Sequence, residues 1–234
     1  LLCGVSVNGV YGVAYKIPAI LTVFQRIFAQ SWQMSATKSY KEDESGDFFS
    51  GMFKSYQAFM VIGCSLLILF VRAIAGFMLQ KDFFEAWRFV PPLLISVVFG
   101  ALTGFIGSIC LAHKDSKAMG ISTFLGAFIN ILLNLLLIPK YSAMGAAIAT
   151  GISYYTMFAM SLFIVKKHVV IKHSSLKDHL AYLLLVTEAV VMIRELPFMY
   201  IVSGMTVLIL LFCYLGEFKK ILEVITGRFK RQGN

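Results

Sequence analysis

Charge is scarce in this chain. Asp, Glu, Lys and Arg make up 14% of its 234 residues, against ~25% in an ordinary soluble domain. With 59% hydrophobic residues, that scarcity excludes an ordinary soluble enzyme and any long disordered segment. The scarcer sign is negative, with 12 acidic residues against 21 Lys and Arg, a net +9. A basic chain with so little total charge does not read as a nucleic-acid module, so its positive excess needs another explanation. The four cysteines (Cys3, Cys64, Cys110 and Cys213) sit in apolar segments without paired spacing. That excludes a zinc site and a disulfide framework, leaving small packing residues. Catalytic signatures are missing as well: no G-x-S-x-G, no H-E-x-x-H, no phosphate loop and no D-x-D. No enzyme and no cofactor is expected. Short alternating strands are absent, which argues against an outer-membrane barrel. No signal peptide can be read. The chain opens on Leu1, inside an apolar run, as a fragment would.

What the chain has in abundance is long apolar runs. A spanning helix needs ~20 mostly apolar residues, and stretches near 10–36, 54–79, 89–112, 118–138, 143–165, 177–193 and 198–216 qualify. The expectation is an all-α integral membrane protein of about seven spans. The sixth span is the weakest, being short and carrying His179 and Glu188. Tight connectors, Pro139–Ser142 and Arg194–Pro197, predict antiparallel neighbours. If residues 1–9 face outward, fourteen Lys and Arg fall on the inner side and five on the outer, with Lys16 and Arg26 inside the first span. The positive-inside rule then predicts a cytoplasmic C-terminus and explains most of the +9 as topology. After the last span, Phe218, Ile221, Leu222, Ile225 and Phe229 recur at helical spacing between Lys219, Lys220, Arg228 and Lys230. Residues 217–234 therefore read as an amphipathic basic tail on the anionic inner leaflet. The acidic run Glu42–Glu44 with Asp47 reads as a solvated loop.

Polar groups inside hydrocarbon are costly and normally face a cavity or the bundle interior. Span one holds the most. At about 100° per residue, Tyr15, Lys16, Thr22, Arg26, Gln30 and Gln33 share roughly one third of the helix circumference, with Gln25 opposite. Pro18 either bends this segment or starts its regular part. A cationic stripe on a bent helix suits a water-filled path for an anion. The bland alternative is that Lys16 snorkels to the interface and Arg26 pairs within the bundle. In span four, Gly126, Asn130 and Asn134 share a face, for close helix packing or a polar lining. Gly145, Ala149 and Ser153 make a small-residue ridge in span five. Glu188 is the one acidic residue well inside a span, either a proton-coupling carboxylate or a partner for nearby Arg194.

Two stretches carry a family resemblance. Gly9-Val-Tyr-Gly-Val-Ala-Tyr-Lys-Ile17, followed by Phe28-Ala-Gln-Ser-Trp32, is similar to the start of the second half of Wzx-type polysaccharide flippases, in the MATE-like superfamily. Asn134-Leu-Leu-Leu-Ile-Pro-Lys140, with Gly145-Ala-Ala-Ile-Ala-Thr150, resembles the family's stretch between helices eleven and twelve. One departure is Ser142-Ala143, where that family usually carries a glycine. The resemblance implies two six-helix lobes plus two extra helices. It makes residues 1–165 the second lobe (helices eight to twelve, after the stub of helix seven over 1–8) and 166–216 the extra pair. It predicts that a first lobe of the same chain precedes Leu1. It also implies an inner-membrane, multi-pass flippase that moves an undecaprenyl-pyrophosphate-linked oligosaccharide by alternating access, driven by an H+ or Na+ gradient. Lys16, Arg26, Gln30, Gln33 and Tyr15 would then face the substrate cavity, with Asn130 and Asn134 lining or packing it. Two relatives on the same fold compete with that reading, a MATE-type drug/cation antiporter and a peptidoglycan lipid-precursor flippase. From another class comes a membrane-embedded sugar polymerase or acyltransferase. A drug antiporter would favour acidic cavity residues, and an enzyme would need a large outer loop or a catalytic His/Asp motif.

Overall fold

A computed structural model describes the backbone at residues 5–41, 46–171 and 175–232, and side chains at 9–32, 46–80, 82–117, 119–171 and 176–217. Gln33, Cys3, the acidic run at 42–44 and the side chains of the 218–234 tail lie outside the described side chains. Among the described residues the chain is helical throughout, with no strand. The helices are α1 (Val5–Ala14), α2 (Pro18–Lys41), α3 (Gly46–Leu69), α4 (Val71–Met78), a 3-10 helix (Lys81–Phe89), α5 (Val90–Ala112), α6 (Ser116–Val165), α7 (Ser175–Ile193) and α8 (Met199–Gln232). This is an all-α membrane protein.

Helix breaks fall where the local chemistry demands them. Tyr15 and Lys16 bond back three residues, to the Gly12 and Val13 carbonyls, and tighten the end of α1. Pro18 then opens α2, where its missing N–H costs nothing. α1 is continuous from Val5 to Ala14, across the point where the stub of a preceding helix would end. α6 counts as one element but turns back on itself at Ser142 (φ 53, ψ −135), just beyond Pro139. A Cβ at Gly145 would strike the Leu137 backbone, and one at Gly126 the Met157 side chain, with the Ser153 carbonyl at 3.4 Å. The two arms therefore form a close antiparallel hairpin across the predicted Pro139–Ser142 turn. Gly145, which the ridge pattern assigns to inter-helix packing, is what lets the returning arm pass that corner.

Among the described residues four segments are long and apolar enough to cross a membrane: Gly46–Leu69, Asp82–Ala112, Met119–Val165 and Met199–Glu217. At 1.5 Å per residue, the 47 residues of the third would reach ~70 Å, over twice the bilayer core. Its break at Ser142 divides it into two spans. The first and sixth predicted spans are helical as α2 and α7. They are less apolar, because α2 carries Arg26 and glutamines while α7 carries Lys177, Asp178 and Glu188.

α5 is the central post. Its Leu93, Leu94, Val98, Leu102 and Ile106 have no exposed surface, and α2, α3, α6 and α7 all pack on it. At one end Trp32 of α2 stacks on Phe105 of α5 with ring centres 4.1 Å apart, and its indole N–H donates to the Phe105 carbonyl at 3.3 Å. Phe28 stacks on Tyr56 of α3 at 3.9 Å. These aromatic contacts hold α2 against the core, leaving a mixed face on which Arg26 and Gln30 stand beside the exposed Val23, Phe24 and Ile27.

Candidate functional site

Between α2, α5 and the second arm of α6 lies a cleft of about 490 Å³. Tyr15, Thr22, Gln25 and Arg26 line one wall, and Ser96, Gly100, Thr150 and Tyr154 the other. Gly100 makes room for Tyr154, whose ring lies 3.0 Å from where a Cβ would stand. The hydroxyls of Thr22, Ser96 and Thr150 donate to carbonyls of their own helices, at 3.1, 2.6 and 2.8 Å. They make the wall polar without supplying free donors. The donors that remain are the guanidinium, the Gln25 amide and the two tyrosines. Tyr15 shares a 3.1 Å hydrogen bond with Tyr11.

Arg26 is, among the described residues, the one cation lining this cleft. Among the described residues it has no ion pair, so pairing within the bundle does not occur here. Arg26 is itself exposed to solvent, and its guanidinium, without an ion pair and beside amide and phenol donors, attracts an anion.

The polar stripe expected along α2 is partly redrawn. Tyr15, Thr22 and Arg26 come together in the cleft. Lys16 and Gln30 are exposed and lie outside its lining. Lys16 sits in the turn ahead of Pro18, so the helical register does not extend to it. Gln30 stands a turn beyond Arg26, past the end of the cleft. Gln25, placed opposite by the helical wheel, lines the cleft instead, because the groove is wider than a single stripe. Asn130 and Asn134 bond to each other along α6, Nδ2 of Asn134 donating to Oδ1 of Asn130 at 2.9 Å, and neither lines the cleft. Ser96, Thr150 and Tyr154 are not singled out by the sequence. Each is visible there as a polar residue in an apolar span, but nothing local tells which way it faces.

Other polar groups lie at the two ends of the bundle. Glu195, in the α7–α8 connector at φ 52, pairs with Arg72 at 3.0 Å and Arg88 at 2.6 Å. Both guanidinium groups lie over the buried Trp87, at 5.1 and 5.6 Å. At the opposite end His113 stacks on His168 at 4.8 Å, and His168 Nε2 lies 2.8 Å from Asp115. Burial, and then the neighbouring His168, hold the His113 imidazole below its usual range. A second, larger cleft of about 800 Å³ between α5, α6 and α7 is almost wholly apolar, with His179 and Arg194 in its lining. Arg194 therefore does not serve Glu188, which accepts a hydrogen bond from Ser65 of α3 instead.

No curated protein and no solved structure matches the chain. Residues 93–215, from α5 through the first half of α8, match the family model described as Lipid II flippase MurJ. The resemblance to Wzx-type flippases thus holds at the level of the superfamily the two families share, and does not extend to O-antigen specificity. With more than half of its length matched, the chain belongs to the MurJ lipid II flippase family.

Proposed function

We propose that the chain forms one lobe of an inner-membrane flippase for a peptidoglycan lipid precursor, with its C-terminus on the cytoplasmic side. The observation that carries this reading is Arg26, without an ion pair among the described residues, in a polar cleft whose facing wall from Ser96 to Tyr154 lies within the matched residues 93–215. A polyprenyl-pyrophosphate-linked sugar has an anionic, hydrated head and an apolar tail. Dragging that head through hydrocarbon is prohibitive. A cleft that opens to each side in turn keeps the head wet while the tail stays in the bilayer. Arg26, Gln25, Tyr15 and Tyr154 supply the donors for phosphate and sugar oxygens. The lone fixed cation disfavours a cationic drug as cargo. An ion gradient completes the cycle.

Arg26→Glu reverses the charge at the cleft. In the full-length chain it is expected to abolish rescue of a strain depleted of its own lipid II flippase, at unchanged abundance in the membrane. Arg26→Lys is expected to retain part of the rescue. Normal rescue by Arg26→Glu would remove the cleft from the transport path. Rescue of a strain lacking its O-antigen flippase, without rescue of the lipid II strain, would return the substrate to the Wzx class.

A further inference from the structure

Away from the cleft, α3, α7 and α8 meet along a seam that holds polar groups well inside the bundle. Glu188 of α7 is completely buried. Its Oε2 accepts a 2.6 Å hydrogen bond from Ser65 of α3. Its Oε1 and the buried hydroxyl of Ser203 on α8 stand beside each other without a well-formed hydrogen bond to any other group. Among the described residues no cation pairs with this carboxyl. The other titratable group against it is Cys64, also of α3 and also fully buried. α5 carries no charged side chain along its length, and its cysteine lies at the far end. A carboxylate taken out of water without a cation is among the most costly groups a protein can bury, and a bound proton removes that cost.

We propose that Glu188 is a proton-binding site of the transporter, loaded while the α3–α7–α8 seam is closed and discharged when α7 parts from its neighbours. Ser203 lets the site exist in two satisfied states. With the proton on Oε1, the Ser203 oxygen accepts it. When the proton leaves to entering water, the carboxylate remains and the same hydroxyl turns to donate, beside that of Ser65. The four side-chain oxygens of Glu188, Ser65 and Ser203 are fewer than a hard metal cation usually takes, so a proton suits the site better. Polar clusters mark both ends of the seam. About 12 Å along α3, Gln57 donates to Tyr182 at 2.9 Å. Roughly 10 Å the other way stands the Arg72–Glu195 pair. Opening the seam toward either end would expose Glu188 to one side of the membrane, as coupling a proton to alternating access requires.

The test reads the proton directly and does not depend on the transported lipid. Infrared difference spectra of the purified full-length chain in lipid nanodiscs, between acid and alkaline buffer, are expected to show a protonated-carboxyl C=O band that disappears at alkaline pH. Glu188→Gln, nearly the same shape and still able to meet Ser65, should lack the band while its thermal unfolding stays close to that of the parent. Ser65→Ala should keep the band and shift it to higher frequency, since the hydrogen bond to the carbonyl is lost. A band that persists through alkaline pH marks a fixed structural acid and overturns the proposal. So does the absence of any band lost in Glu188→Gln. Displacement of the band by sodium at constant pH assigns the site to the metal ion and overturns it equally.

Discussion

α5 and α6 are equally apolar by composition, yet they live in different surroundings. In the most apolar stretch of each, 78% of α5 is buried inside the bundle and 11% of α6. α5 turns Leu94, Leu102 and Ile106 into protein on nearly every side. α6 turns Phe124, Phe128, Ile131 and Leu135 outward, all at least 55% exposed. Hydropathy reports that a segment belongs in a low dielectric. It does not report whether lipid or protein supplies it, because hydrocarbon tails are as apolar as leucine. Close packing distinguishes the two, and it is felt as volume rather than as polarity.

The contrast is broken most severely at the corner where α6 folds back. Gly145→Val would drive two methyl groups into the Leu137 backbone, which cannot give way. We expect loss of folded protein, seen as aggregation on size-exclusion chromatography. Gly126→Ala, which strikes Met157 at its Cγ and forces that side chain into another rotamer rather than meeting backbone, should lower thermal stability but leave more folded protein than Gly145→Val. Next in size is a matched pair of truncations. Leu102→Ala in α5 opens a cavity in the packed core and should cost ~2–5 kcal/mol. Leu135→Ala on the outward face of α6 should change stability by less than ~0.5 kcal/mol. Thermal unfolding in a single detergent measures both, and equal effects would erase the distinction between post and hairpin.

The smallest effect lies where the two helices meet water. His113 follows the last residue of α5, and its stacking partner His168 follows the second arm of α6. The folded state lowers the affinity of His113 for a proton below that of the free side chain, near 6.5. Below that pH the unfolded chain binds more protons, so this contribution is whole above it and is lost as pH falls. Thermal stability should decline slightly on acidification through this window. The decline should be shallower in His113→Asn.

Much of the fold is legible in the order of the residues. Apolar runs locate the helices, and Pro139 with the short Pro139–Ser142 link announces the hairpin. Pro18 marks the break ahead of α2. Charge is legible too, because a lysine in water and an arginine in an apolar segment face different costs. The site is legible only in part. Arg26 and Thr22 share a sector of α2, which sequence spacing can show. Tyr15 and Lys16 both stand in the turn before Pro18, where the wheel does not apply, and only Tyr15 lines the cleft; Gln25 joins it because a groove between three helices is broader than one stripe. Ser96 and Tyr154 come from helices far away in the chain, and no local pattern ties them to Arg26. Glu188 shows the same limit. Its oddity is plain in the sequence, but Ser65 as its partner, rather than the nearby Arg194, depends on how α3 lies against α7.

The sequence by itself determined that this chain is helical, that it belongs in a membrane, and that its helices break ahead of Pro18 and beyond Pro139, though not that the 54–79 run breaks at Phe70. Each of these follows from costs incurred residue by residue: burying charge, exposing apolar surface, or asking proline for a hydrogen bond. Only the tertiary structure decided which apolar helix is the core, which cation lines the cleft, and which buried acid among the described residues lacks a counter-charge. Those are properties of pairs of surfaces, and the distances that set their energies exist only once the helices have packed.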